Sequence, residues 1–296
     1  MALADCPGSR LRDAVEDERP LQVVGTINAL TAKLAEQTRF RAIYLSGAGV
    51  ANASYGLPDL GMTSRENVLE DVRRITAATD LPLLVDVDTG WGDTSSIAKT
   101  ASEMICAGAA GMQIEDQVSS KRCGHRPGKT LVSAVEMKAR VKAASEARTE
   151  DDFVIMARTD AAANEGLPGA IDRAAAYAEA GADMIFAEAL TDLDQFHQFT
   201  SVVSVPVLAN LTEFGRTPLF TVDEMRSAGV RLVLYPLSAF RAMNAAARRV
   251  YQEVREQGTQ QGVLDLMQTR EELYEILDYH GHEQRIDKLL ESEDEQ

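Results

Sequence analysis

Eight short apolar runs recur along the chain, at residues 21–27, 42–46, 81–88, 111–116, 153–160, 184–189, 205–211 and 230–236. Most are continuous rather than alternating, as expected of strands buried on both faces. Alanine-rich stretches with helical apolar spacing lie between them, at 95–107, 134–147 and 170–180 among others. Several of these helices close on a glycine just before the next strand, in AGAAG at 107–111, AGAD at 180–183 and SAGV at 227–230. Glycine tolerates the left-handed conformation that ends a helix. Strand and helix alternating eight times predict an α/β fold of the parallel (β/α)8 barrel type. A doubly wound sheet is the competing architecture, but no GxGxxG follows the first strand.

Beyond the eighth run a helical pattern extends from 238 to about 256, followed by QGTQQG and further helical stretches at 270–279 and 283–291. Nothing reads as a linker, so residues 1–296 are expected to form one barrel domain with a C-terminal helical extension from about 257 to 296. Such a tail often packs on a neighbouring subunit. The terminal ESEDEQ is expected to be a frayed end.

In a barrel of this kind chemistry gathers where the strands end. Polar residues appear there on nearly every strand: Tyr44 and Ser46, Asp86 and Asp88, Glu115 and Asp116, Arg158 with Thr159 and Asp160, Glu188, Asn210, and Tyr235. Any one acid after a strand has a plain explanation as a helix N-cap. The whole set on one rim does not. Asp86 and Asp88 stand two apart on one predicted strand, so both carboxylates are expected on one face. Such a pair repels unless a proton or a cation intervenes. A few hard oxygen ligands suit Mg2+, with Mn2+ compatible, and Glu115 could hold a metal-bound water. Zinc is disfavoured because no His/Cys cluster accompanies the pair.

The loop SSKRCGHRPGK at 119–129 sets Cys123 among Lys121, Arg122, His125, Arg126 and Lys129. In an acidic chain this basic cluster would lower a thiol pKa and attract a polyanion. The plain alternative is a solvated basic loop with an incidental cysteine. Cys106 reads as core and Cys6 as part of a mobile N-terminus.

Charge narrows the partners. The formal net charge is −16, which disfavours nucleic acid and anionic membranes. No apolar stretch approaches the ~20 residues of a membrane span, and MALADCPGSR lacks a signal-peptide core. Three cysteines are too few and too odd for a disulfide framework, so a reducing cytoplasm is expected. The basic loop at 119–129 is then expected to attract a polyanionic substrate.

With these residues assembled, the chain resembles the isocitrate lyase/phosphoenolpyruvate mutase superfamily over nearly its whole length. The resemblance is carried by VGTINA (24–29), IYLSGAGVA (43–51), GLPDLG (56–61), LLVDVDTGWG (83–92), IEDQ (114–117), KRCGHRPGK (121–129), IMARTDA (155–161), LANLTEFG (208–215), YPLSAFRAMN (235–244) and MQTREELYE (267–275). Isocitrate lyases carry a related KKCGH but are much longer, and mutases and decarboxylases generally lack the cysteine.

The resemblance implies a carbon–carbon lyase that cleaves 2-methylisocitrate into pyruvate and succinate by Mg2+-dependent retro-aldol chemistry, in the methylcitrate cycle of propionate catabolism. Isocitrate cleavage and oxaloacetate- or phosphonopyruvate-type lysis are the rival activities. By motif, Asp86 and Asp88 match the metal site, with Glu115 nearby. Ser46, Gly47 and Ala48 match the substrate loop, and Cys123 and Gly124 the catalytic loop, where Lys121 and Arg122 are expected to bind substrate and His125 to act in catalysis. Arg158, Glu188, Asn210, Leu211, Thr212, Arg241 and Arg270 match substrate-binding positions. Cys123 is expected as general acid and Tyr44 as a candidate base, with Phe186, Leu234 and Pro236 as walls of a methyl pocket. Two departures are Ala48, where a glycine is common, and Gln113, where a histidine is frequent. The family also implies a homotetramer with a terminal helix exchanged between subunits.

Overall fold

The computed structural model describes residues 6–122, 124, 126 and 128–294, with side chains to residue 291. The chain divides into two compact units, Met1–Phe240 and Arg241–Gln296.

The first unit is a closed parallel barrel in which each strand pairs with its sequence neighbours and β1 meets β8. Its order is α1 (Pro7–Asp17), β1 (Leu21–Gly25), α2 (Ala29–Gln37), β2 (Ala42–Leu45), α3 (Gly47–Gly49), α4 (Arg65–Thr76), β3 (Leu83–Asp86), α5 (Thr94–Cys106), β4 (Gly111–Glu115), α6 (Ala134–Glu146), β5 (Val154–Thr159), α7 (Ala162–Glu179), β6 (Met184–Ala187), α8 (Leu193–Val202), β7 (Val207–Asn210), α9 (Val222–Ser227) and β8 (Leu232–Tyr235). All eight expected strands form, each shorter than its apolar run. The ladder ends where the chain turns into the loops, while the apolar residues just outside it still pack.

Strand alternation sorts side chains into two cores. One parity faces the helices: Ile43, Leu45, Leu83, Val85, Met112, Ile114, Ile155 and Ala157 join the layer between strands and helices. The other parity fills the barrel: Val23, Ala42, Tyr44, Leu84, Val154, Met156, Met184, Phe186, Leu208, Leu232 and Leu234. Leu11, Ala14 and Val15 of α1 belong to this inner cluster, so α1 plugs the barrel's N-terminal end.

That helix corrects the expectation of a mobile N-terminus. Cys6 is its N-cap, and the thiol accepts a hydrogen bond from the Ser9 backbone N–H. Cys106 is corrected as well: it is exposed at the end of α5 rather than buried in the core. In the second unit, α10 (Ser238–Gln257) spans the division, and α11 (Arg270–Leu277) and α12 (Tyr279–Asp294) follow. Thus α12 starts before residue 283, and its helical backbone continues into the expected frayed end. No helix among the described residues is long and apolar enough to cross a membrane.

Candidate active site

The parity that fills the barrel with apolar groups turns polar at the C-terminal end of the strands. Asp86 pairs in register with Gln113, Glu115 with Arg158, Arg158 with Phe186, and Asn210 with Leu234. The strand ends above the apolar plug therefore carry acids, amides and one guanidinium, with Phe186 and Leu234 in register among them. Asp116 and Thr159 have the opposite parity and serve the scaffold. Asp116 accepts hydrogen bonds from Thr159 Oγ1 at 2.8 Å, Tyr177 Oη at 2.9 Å and the Asp160 N–H at 2.9 Å.

Asp86 and Asp88 do not lie on one strand. β3 ends at Asp86, and Asp88 adopts a left-handed backbone with φ 49°. Its N–H donates to Asp86 Oδ1 at 3.0 Å, and this turn, rather than strand alternation, brings the carboxylates together. Gly47 N–H donates to Asp86 Oδ2 at 3.0 Å. A Cβ at residue 47 would stand 2.8 Å from Asp88 Oδ1 and 3.2 Å from Asp86 Oδ2. Glycine there keeps open the space in front of both acids.

Lys121 faces this space, in ion pairs with Asp88 and with Asp59 Oδ1 at 2.8 Å. Burial pushes the Asp88 carboxyl up to about 6, and Asp86 adds to the push against the pull of Lys121. Glu115 is likewise held well above the carboxylate range by burial, although Arg158 and Lys121 oppose it. Its Oε1 is buried without a hydrogen-bond partner. Among the described residues no group of three or more His, Cys, Asp or Glu side chains is arranged to hold a metal alone. Two acids beside an open space and one unsatisfied carboxylate oxygen fit a hard cation that completes its shell with water and substrate.

Arg158 is the centre of the other half. Its Nε lies 3.0 Å from Asp160 Oδ2 and its Nη2 3.1 Å from Asp160 Oδ1. Nη2 is also 3.1 Å from Glu188 Oε2, Nε is 3.6 Å from Glu115 Oε2, and the guanidinium stacks 5.0 Å from the Phe186 ring centroid. Burial disfavours the charge of Arg158, but Asp160, Glu188 and Glu115 outweigh it and keep the cation. Asn210 Nδ2 donates to Glu188 Oε2 at 3.4 Å. Gly124 seats the 119–129 loop here: a Cβ on it would fall 2.1 Å from Arg158 Nη2 and 2.7 Å from Glu188 Cδ.

Ser46, Gly47 and Thr212 are buried on this rim, and Ala48 is half-buried beside them. Leu211 departs from expectation: its side chain packs into the outer core, so any contact with a substrate is left to its backbone. Arg122 is exposed and lines a cavity of about 620 Å³ with Pro58, Asp59, Leu60, Lys121 and Arg126. Tyr44 donates to Gln113 Oε1 at 2.7 Å, and burial followed by Asp86 pushes its phenol well above its ordinary value. These surroundings oppose a phenolate base and suit a fixed donor. Arg241 and Arg270 belong to the second unit, Arg270 opening α11. Cys123 and His125 lie outside the described residues.

Sequence reasoning put Asp160 on the polar rim without a role and gave Asp59 none. Asp160 carried a usable signal, since it stands two residues from Arg158 and shares its parity. Asp59 carried only its place in GLPDLG, because its pairing with Lys121 joins two distant loops.

Residues 11–255 match the family described as phosphoenolpyruvate phosphomutase. The chain is 59% identical to a 2-methylisocitrate lyase of Shewanella oneidensis over 96% of this chain and 97% of that one. It is 58% identical to the protein of that name in Escherichia coli, over 96% of both chains. A phosphonopyruvate hydrolase solved in complex with oxalate and Mg2+ superposes with TM-score 0.83 at 30% identity, covering 94% of this chain and 97% of that one. A shared barrel, a matching model over most of the chain and relatives this close leave one assignment: the chain belongs to the phosphoenolpyruvate phosphomutase family.

Proposed function

We propose that this chain is a carbon–carbon lyase that cleaves 2-methylisocitrate into pyruvate and succinate. The observation that carries the reaction class is the seating of Gly124, next to Cys123 in sequence, against Arg158 and Glu188 at the mouth of the acid-lined barrel. The relatives' activity selects the substrate among the rivals.

Asp86 and Asp88 would hold Mg2+ (Mn2+ suits the same oxygens), with Glu115 on its water. When bound, the ion supplies positive charge against the substrate's carboxylate and developing oxyanion. The chain's own groups do the rest. Arg158 and Asn210 offer donors to substrate carboxylates at the strand ends, and Ser46, Thr212 and the Gly47 backbone border the same space. Loss of the substrate's hydroxyl proton to a base lets the C–C bond break towards pyruvate. The electron pair leaves with the succinyl fragment as a carbanion spread into its carboxylate. Arg158, kept cationic by its three acids, stabilises that charge. The Cys123 thiol then gives up its proton to the carbanion and succinate forms. Tyr44 takes the part of hydrogen-bond donor in this scheme, with His125 as a further proton-handling group of the loop. A cytoplasmic homotetramer is the assembly and location that go with this reading. Purified protein assayed for pyruvate release should turn over 2-methylisocitrate faster than isocitrate and stop in EDTA. A preference for isocitrate, or for oxaloacetate, would replace it.

A further inference from the structure

Lys129 ends the KRCGHRPGK segment, and the mechanism above gives it no task. Its side chain is 1% exposed, the Asp160 side chain that faces it 0%. A lysine is buried this fully only when its charge is matched. Its Nζ donates to Asp160 Oδ1 at 2.8 Å and to the Gly124 carbonyl at 2.6 Å. One ammonium thus ties the loop both to itself and to the barrel.

Asp160 takes Lys129 with the same carboxylate that holds the Arg158 guanidinium through two hydrogen bonds. The Asp160 main chain is fixed from the helix side, because its N–H donates to Asp116. Lys129 is fixed too, since its carbonyl accepts from Asn164 Nδ2 at 2.9 Å. The contacts close a ring: Gly124 to Lys129, Lys129 to Asp160, Asp160 to Arg158, and Arg158 back against Gly124.

We infer that Lys129 and Asp160 are positioning residues, a buried ion pair that holds the 119–129 loop and the Arg158 guanidinium in one register. Neither has to touch substrate for this. The effect on turnover rests on the activity proposed above, whereas the effect on the loop does not.

The test uses the full chain carrying Cys6→Ser and Cys106→Ser, which leaves Cys123 as the single thiol of the three. Lys129→Met, Lys129→Arg and Asp160→Asn are each compared with this parent. Iodoacetamide alkylation is followed without substrate over a series of pH values from about 7.5 to 9.5, so that a change in thiol ionisation is separated from a change in access. Lys129→Met and Asp160→Asn should react at least about fivefold faster, because the local opening becomes cheaper. Their kcat on 2-methylisocitrate should fall roughly tenfold to a hundredfold, with KM moving less than about threefold. Lys129→Arg, which keeps the charge, should recover most of both. Alkylation of Lys129→Met within about twofold of the parent, or an arginine variant no better than methionine, overturns the inference. Should Lys129→Met fail to fold, Asp160→Asn, which keeps the volume and the acceptor oxygen, decides the matter alone. A parent that releases no pyruvate from 2-methylisocitrate would sink the proposed activity, and the alkylation rates would still decide the positioning role.

Discussion

Gly124→Ala isolates the fit of the loop on the anion-binding group. The added methyl carbon would stand 2.1 Å from Arg158 Nη2, where ordinary contact begins at 3.4 Å. Arg158 has little room to yield: Asp160 holds it by two hydrogen bonds, Glu188 lies 3.1 Å from Nη2, and Phe186 backs the guanidinium at 5.0 Å. The loop must therefore lift by more than about 1 Å. Displacement of a reacting group on that scale costs about a hundredfold in rate, or roughly 3 kcal/mol of barrier. Lifting Gly124 strains its carbonyl's hydrogen bond from Lys129 but removes no apolar side chain from the core, so the melting midpoint should fall by no more than about 4 °C. Coupled pyruvate detection gives kcat, and differential scanning calorimetry gives the midpoint. A variant that folds normally and keeps kcat within about threefold of the parent would refute the claim that Gly124 is glycine because of this contact.

Metal affinity should follow the protonation of Asp88. In the metal-free chain burial holds its carboxyl up, to about 6, so ionising it destabilises the fold progressively as pH rises from the ordinary carboxylate range through that value. Mg2+ needs the ionised form, so its affinity should drop about tenfold per pH unit below 6 and level off above. Fluorescence of Trp91, the single tryptophan, can report the titration; a flat affinity from pH 5 to 7 would refute it. Cys123→Ser should remove most turnover while sparing substrate binding, since a hydroxyl is a far weaker acid than a thiol; near-normal kcat would leave the cysteine a structural role. Leu234 and Phe186 belong to the inner cluster and stand in register with Asn210 and Arg158 of the polar strand ends. Leu234→Thr should lower kcat/KM for 2-methylisocitrate more than for isocitrate, by roughly tenfold or more. Equal losses on both would mean that it only packs the barrel.

The barrel was legible in the chain itself. Eight apolar runs, most of them continuous, alternating with helices of which several close on glycine admit few other closed parallel arrangements, because only strands covered on both faces can be apolar throughout. The polar rim was legible for a related reason, as charged residues at the ends of buried strands stand out against the apolar background. The helix of residues 7–17 was not, since its apolar face is short and gains its meaning only from the barrel floor that it closes. The two groups of acids show the same division more sharply. Sequence put Glu115 and Asp116 side by side on the rim, with a metal-water role for Glu115 alone, and set Asp86 and Asp88 on one face of a strand. Tertiary structure sent Asp116 outward to Tyr177 and brought Asp88 to Asp86 through a left-handed turn. It also committed Lys121 and Lys129, which read as loop charges, to buried acids on distant segments. Periodicity is a property of neighbouring residues, and a local sequence can carry it. Which charges meet, and in what dielectric, depends on segments far apart in the chain, and only the folded barrel decides it.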